Sequence, residues 1–204
     1  MTMEKPYIKL DQDYPGIVSL FMFDREVAKN LSAMAETVMR RPRGLTQGER
    51  ELIAAYVSKL NECQFCYRSH RSCAEEMNDI RLITDLLDKN NLDSDHLTDK
   101  MLHLLMAANC VQAGPADHSG RWSALPIHIQ RARNMGATDE EIHDAVLVAS
   151  FFSMCNRYVD GLGTTFKYNE PEQGGRSLAY YGYKMGIRRF LAEVFPKLWS
   201  RFWG

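Results

Sequence analysis

Residues 46–70 read TQGERELIAAYVSKLNECQFCYRSH, and the first half of that stretch sets the fold class. Thr46 and Glu49 form a T-x-x-E capping box: the hydroxyl accepts from a free amide of a first helical turn, and the carboxylate reaches back to another. A helix starts there. Leu52, Ile53, Tyr56, Val57 and Leu60 recur at helical spacing, and Asn61 is the expected stop, so Cys63 falls near the start of the next helix.

On the N-terminal side, Asp24 is suited to cap a helix whose inner face carries Val27, Leu31, Ala35 and Val38, closed by the basic turn Arg40-Arg41-Pro42-Arg43-Gly44. On the C-terminal side, Leu97, Met101, Leu104, Leu105, Ala108 and Val111 mark another amphipathic helix, which gives way to a loop at Ala113-Gly114-Pro115. Pro126 and Gly136 frame a short helix from about Leu125 to Met135. A second T-x-x-E box, Thr138 and Glu141, opens a buried helix reaching Cys155. The stretch from Gly161 to Gly175 reads as loop, and a final aromatic-rich helix is expected from about Arg176 towards Trp203. No run alternates like a half-buried strand, so the expected class is all-α, in a single domain over the 204 residues.

The two capping boxes are related. Shifting the chain by 92 residues superposes Thr46 on Thr138, Glu49 on Glu141, Ser58 on Ser150 and Cys63 on Cys155. This is a weak internal repeat of a capped helix, with copies at about 46–76 and 138–163, each needing a partner to cover its apolar face. Only the first copy keeps a second cysteine and a following histidine.

Composition removes several function classes. With 45% hydrophobic residues the chain can bury a sizeable core. Its 25 Lys+Arg against 26 Asp+Glu leave a formal charge of -1, so no basic field draws in nucleic acid or anionic lipid. Met1 to Pro6 run into a mixed polar stretch instead of a leader's apolar segment, and the apolar run from Ala145 to Cys155 is too short to span a bilayer. A soluble, cytoplasmic protein is expected, with neither nucleic acid nor membrane as partner. The five cysteines (Cys63, Cys66, Cys73, Cys110, Cys155) are an odd number without the density of a secreted disulfide framework. In a reducing compartment a close pair points to redox catalysis or metal binding.

The informative constellation is Glu51, Cys63, Cys66 and His70, E-x11-C-x2-C-x3-H. On one helix Cys63, Cys66 and His70 share a face. A free thiol with a pKa of about 8.5 is mostly protonated at neutral pH, but a helix N-terminus and an imidazole both favour the thiolate that attacks peroxides and disulfides. The second thiol then closes a disulfide. Glu51, from the preceding helix, could orient the imidazole or pass a proton. Helix-end electrostatics act most strongly in the first turn, which favours Cys63 as the nucleophile.

Three rival readings are weaker. Two cysteines at helical spacing can be plain core residues, but a histidine on the same face argues against that. Zinc held by Cys63, Cys66, His70 and Glu51 lacks the second Cys/His pair that structural sites draw from a separate turn. A thioredoxin-type C-x-x-C belongs near a βαβ pattern, absent from this sequence.

The segment from Arg50-Glu51-Leu52-Ile53-Ala54 through Ser58 to His70 resembles the AhpD-like (alkylhydroperoxidase D), peroxidase-related branch of the carboxymuconolactone decarboxylase superfamily. The resemblance continues in Gly136-Ala137-Thr138-Asp139-Glu140-Glu141 and in Asn156 to Gly163, and covers about Leu31 to Gly163. It implies an AhpD-like helical bundle, assembly into homo-oligomers built from dimers or trimers, up to a hexamer, and thiol-dependent reduction of alkyl hydroperoxides. No cofactor or metal is implied; the partners are a small-molecule hydroperoxide and a thiol or protein reductant. Carried over residue by residue, Cys66 is the peroxidatic thiol, Cys63 the resolving thiol, and Glu51 and His70 the proton relay. The resemblance thus reverses the order that helix-end electrostatics favours. AhpD proper has a second histidine immediately before its second cysteine, where this chain has Phe65. The decarboxylase branch lacks the cysteine pair, so lactone decarboxylation is not expected.

Other residues carry less. Asp117 and His118, in the Gly114-to-Gly120 loop, are read as solvated before ligand-binding. His103, His128 and His143 have no ligand-spaced partner in the sequence. Asn156, Arg157 and Asp160 are assigned to helix capping or to hydrogen bonds near the pocket or an interface. The aromatic and basic C-terminal stretch, Tyr180 to Trp203, is expected to pack on the core or on another subunit. Two function classes stand at this point: a thiol peroxidase or disulfide reductase, and a non-catalytic or metal-binding helical oligomer.

Overall fold

A computed structural model describes residues 6–11, 14–167 and 169–183, and among them there are helices and no strand. The helices are α1 (Ile17–Phe23), α2 (Arg25–Arg40), α3 (Gln47–Leu60), α4 (Gln64–Glu75), α5 (Ile80–Ile83), α6 (Asp99–Ala113), α7 (Leu125–Asn134), α8 (Asp139–Gly161) and α9 (Glu170–Tyr181). A π turn over Thr84–Asp88 extends α5, and a 3-10 turn over Trp122–Ala124 precedes α7.

The starts of the main helices follow from their caps. Asp24 accepts from the amides of Glu26 and Val27 at 3.1 and 3.0 Å. Thr46 and Glu49 form the box ahead of α3, and Thr138 and Glu141 form the one ahead of α8. Thr98 caps α6, and Gly114, at φ 74°, ends it.

Helix α3 is the centre of the molecule, packed by α4, α6 and α8. It is buried at Gly48 and from Arg50 to Ser58, with Leu52, Ile53, Ala54, Ala55 and Val57 fully enclosed. A helix covered on all faces should be apolar all round, yet α3 carries two adjacent buried charges. Arg50 turns towards α8, where its Nη2 meets Asp144 Oδ2 at 2.6 Å and its Nη1 donates to the Arg41 carbonyl at 3.0 Å. Asp144 also accepts from the Leu45 amide at 3.0 Å and pairs with Arg41. Glu51, about 100° further round the helix, faces α4 and α9.

Two expectations are corrected, the end of α8 and the bounds of α9. Helix α8 continues past Cys155 to Gly161. The Gly161-to-Gly175 stretch is loop only as far as Asn169, because α9 begins at Glu170 with Pro171 in its first turn and runs through Gly174 and Gly175. Those two glycines look like breakers in sequence, but α9 lies against α4, and a Cβ on Gly175 would collide with the Ser69 carbonyl. Close approach of the two helices outweighs helix propensity there. Helix α9 ends at Tyr181 instead of running on towards Trp203, and the rest of that expectation, from residue 184 on, lies outside the described residues. The 92-residue shift relates the two capping boxes of the packed pair α3 and α8, while other matched residues sit in different surroundings. Ser58 is buried where Ser150 is exposed, and Cys63 precedes a new helix where Cys155 lies inside one.

Candidate active site

The turn between α3 and α4 positions the thiols. Asn61 ends α3 in a helical conformation, and the reversal is made by Glu62, in the left-handed region at φ 60°. The Cys63 amide bonds back to the Ser58 carbonyl at 3.1 Å, and Cys63 becomes the residue that precedes α4. The turn is locked from α8: Asn156, buried, donates to Ser58 Oγ at 3.1 Å and accepts from Asn61 Nδ2 at 2.8 Å. This is the role of Asn156 that the sequence left open.

One turn into α4, Cys66 is nearly buried, and one turn further His70 is too. His70 Nδ1 lies 2.8 Å from Glu51 Oε2. The other carboxylate oxygen accepts from Arg40 Nη1 at 2.7 Å and from the Tyr183 hydroxyl at 2.9 Å. Burial by itself pushes the Glu51 carboxyl up, but His70 and Arg40 outweigh it and hold the group below the usual carboxylate range. With Nδ1 donating to a carboxylate, a neutral His70 presents Nε2 as an acceptor. The ring is braced edge-on by Phe152, with centroids 4.3 Å apart, and lies parallel to Tyr183 at 6.4 Å.

Arg40 and Tyr183 belong to this site although the sequence reading did not include them in it. Arg40 ends α2, covers the Tyr183 ring at 4.9 Å and donates to the Leu178 carbonyl of α9 at 3.0 Å. Burial and the nearby Glu51 push the Tyr183 phenol well above its ordinary value, so it acts as a donor at neutral pH. Cys73, one turn beyond His70, is fully buried against Glu51 and Arg40, and its thiol is pushed up chiefly by burial.

The two thiols of the C-x-x-C differ. Both are free, and they lie in contact. Cys63 is fully buried, and its contact with the Cys66 thiol, then burial, then Asp160, push it strongly upward. The Cys66 amide at the start of α4 pulls the other way, as helix-end reasoning expects, but is outweighed. The first-turn position that favoured Cys63 as nucleophile is therefore offset by the neighbouring Cys66 thiol and by enclosure. Asp160, at the end of α8, contacts the Cys63 thiol and has its own carboxyl raised by burial.

Cys66 and His70 line one cavity of about 390 Å³, together with side chains of α1, α2, α8 and α9. Its walls are mostly apolar, including Ile17, Leu31, Phe65, Phe151 and Phe152, and Cys155 contributes a second sulfur beside that of Cys66. The Cys155 thiol is pushed up to about 12 by burial and by Cys63, so it is a poor nucleophile. Phe65, between the cysteines, packs at a tilt against Phe166, with centroids 5.8 Å apart, and lies against Gly16, whose φ of 49° and missing Cβ make room for the ring.

The remaining candidates lie elsewhere. Asp117 is held by Arg121 and Ser119 in an exposed loop. His143 lies on the surface beside Arg41. His103 and His128, which lack a ligand-spaced partner in sequence, are brought together between α6 and α7 with their Nδ1 atoms 3.4 Å apart. Among the described residues no three His, Cys, Asp or Glu side chains converge to hold a metal ion. The oxygens of Glu51 are engaged by Arg40, His70 and Tyr183, with the Cys73 thiol beside them. Among those residues, too, no helix is long and apolar enough to cross a membrane.

The arrangement defines a helical protein in which one thiol of a C-x-x-C pair, Cys66, and a carboxylate-bound imidazole, His70, line an apolar cavity, with the other thiol, Cys63, buried outside its lining. Residues 25–78, spanning α2 to α4, match the carboxymuconolactone decarboxylase family. Among solved structures, the chain is similar to an alkylhydroperoxidase AhpD core, an uncharacterized peroxidase-related protein from Ralstonia eutropha JMP134, with 25% identity, a TM-score of 0.63, and coverage of 79% of this chain and 81% of that one. It is also similar in fold to an uncharacterized peroxidase-related protein from Silicibacter sp. TM1040, with 24% identity, a TM-score of 0.61 and 78% of each chain covered. No curated protein matches it. The chain therefore carries a carboxymuconolactone decarboxylase family match over α2 to α4 and shares its fold with an AhpD core.

Proposed function

We propose that the protein reduces alkyl hydroperoxides with Cys66 as the attacking thiol, Cys63 as the resolving thiol, and His70 with Glu51 as the proton relay. The observation that carries this reading is that Cys66 and His70 face the same apolar cavity while Glu51 holds His70 Nδ1 from behind.

His70 Nε2 takes the Cys66 proton, and the thiolate attacks the terminal oxygen of ROOH. The O–O bond breaks, the alkoxide leaves as ROH with the proton returned by His70, and Cys66 becomes a sulfenic acid. Cys63, its proton drawn off by Asp160, then attacks the Cys66 sulfur. The S–O bond breaks, the leaving hydroxide takes up the proton held by Asp160 and departs as water, and the Cys63–Cys66 disulfide forms. An external dithiol returns two electrons and two protons. The nearness of the two free thiols at the start of α4 supports this step.

The same reading assigns the protein to a reducing, cytoplasmic setting and to a homo-oligomer. The test is the wild-type protein with cumene hydroperoxide and a dithiol reductant. Expected are saturable turnover and one Cys63–Cys66 disulfide per chain after peroxide, reopened by the dithiol. Oxidation of other cysteines first, or no disulfide at all, would remove the peroxidase reading.

A further inference from the structure

The cavity has a polarity that a simple alkyl hydroperoxide does not use. Its wall on α2 changes character along the helix: Arg25 and Lys29 at the N-terminal end, Leu31 and Ala35 further in. Arg25 and Lys29 are exposed, and neither side chain has an ion pair or hydrogen bond among the described residues. They are one turn apart, a like-charge spacing that opposes helix formation, and Arg25 occupies the first turn, where the helix dipole disfavours a cation. The carboxylate beside them, Asp24, is engaged by the amides of Glu26 and Val27. Among the described residues no Asp or Glu lines the cavity.

From these observations we infer that the cavity binds a fatty-acid-like monocarboxylate, with the carboxylate between Arg25 and Lys29 and the alkyl chain in the apolar chamber towards Cys66. An ionised carboxylate takes charge-assisted bonds from both cations, and the chain takes the walls of Leu31, Phe65, Phe151 and Phe152. The rise along α2 from Arg25 to Ala35 is about 15 Å, the span of a medium-length chain. For its catalytic meaning this rests on the peroxidase reading: the substrate class becomes fatty-acid hydroperoxides, whose –OOH lies several carbons from the carboxylate. The binding itself does not depend on that chemistry.

The test uses full-length protein and two probes of equal chain length, decanoate and decanol, titrated by calorimetry at pH 8. Decanoate should bind at least tenfold more tightly than decanol, and raised salt should narrow the gap. Arg25→Gln/Lys29→Gln should bring decanoate down to the affinity of decanol without weakening decanol. Equal affinities in the wild type would overturn the inference, as would a variant that keeps the discrimination. It would also fall if decanoate failed to bind, or lost affinity as protein concentration rose, because residues 184–204 or a second copy would then be the occupant. Decanoate binding in a protein that turns over no hydroperoxide would uphold this ligand class and remove the peroxidase reading alone.

Discussion

Glu51 is fully buried yet kept ionised because donors from three elements meet its two oxygens: Arg40 from the end of α2, His70 from α4 and Tyr183 from beyond α9. A buried carboxylate with that support fixes an imidazole and tunes it, so removing the charge should slow chemistry more than it unfolds the protein. Glu51→Gln and His70→Gln are expected to slow thiol oxidation by about a hundredfold or more, with circular dichroism showing intact helices. Unchanged peroxide kinetics in both would eliminate the relay. Glu51 and His70 were visible in the sequence because they lie within the same local motif as the cysteines. Arg40 and Tyr183 were not, since they are 11 and 132 positions from Glu51 and only tertiary packing joins them. Arg40 read there as part of a helix-ending basic turn, and Tyr183 as one of many C-terminal aromatics.

At the scale of elements, the capped helices were legible because a T-x-x-E box states its own geometry, and both boxes form as written. Helix α9 was misjudged at its start because two glycines required for contact with α4 carry the same signature as a loop. The contact between α3 and α8 gives the clearest energetic prediction. Arg50 and Asp144 are both buried, and Arg50 is pushed down to about 10, mainly by burial. Asp144→Ala leaves that cation unpaired and should cost about 3–5 kcal/mol in urea denaturation, whereas Arg50→Met/Asp144→Leu should recover most of the loss. A cost under about 1 kcal/mol for Asp144→Ala would show that water reaches the pair. The α6 and α7 contact predicts pH dependence. His128 is held below its ordinary value by burial, His103 and Arg131. Above about pH 6.5 it is neutral in both folded and unfolded chains. As pH falls below that, the unfolded chain takes up a proton that the folded one resists, so stability drops. His128→Gln should shrink the fall in Tm between pH 7.5 and 5.5, and an equal fall in the variant would place its cause elsewhere.

For the whole molecule, all-α class and the site's location near the α3–α4 turn were readable, while the cavity was not, because its walls come from α1, α2, α4, α8 and α9 and no local pattern announces them. The described surface leaves Phe23, Ile127, Met135 and Tyr180 at least half exposed, apolar area that a second copy would cover. Light scattering at micromolar concentration is expected to give a multiple of the 23.4 kDa chain mass; a monomer would contradict the assembly.

The central claim is the order of the two thiols. Cys66 reaches the cavity, and Cys63 is sealed behind it. Single-turnover mass spectrometry after limiting peroxide tests this in two variants: Cys63→Ser should accumulate sulfenic acid on Cys66, and Cys66→Ser should lose the rapid first oxidation. Rapid sulfenate on Cys63 in the Cys66→Ser variant, with none on Cys66 in Cys63→Ser, would contradict it.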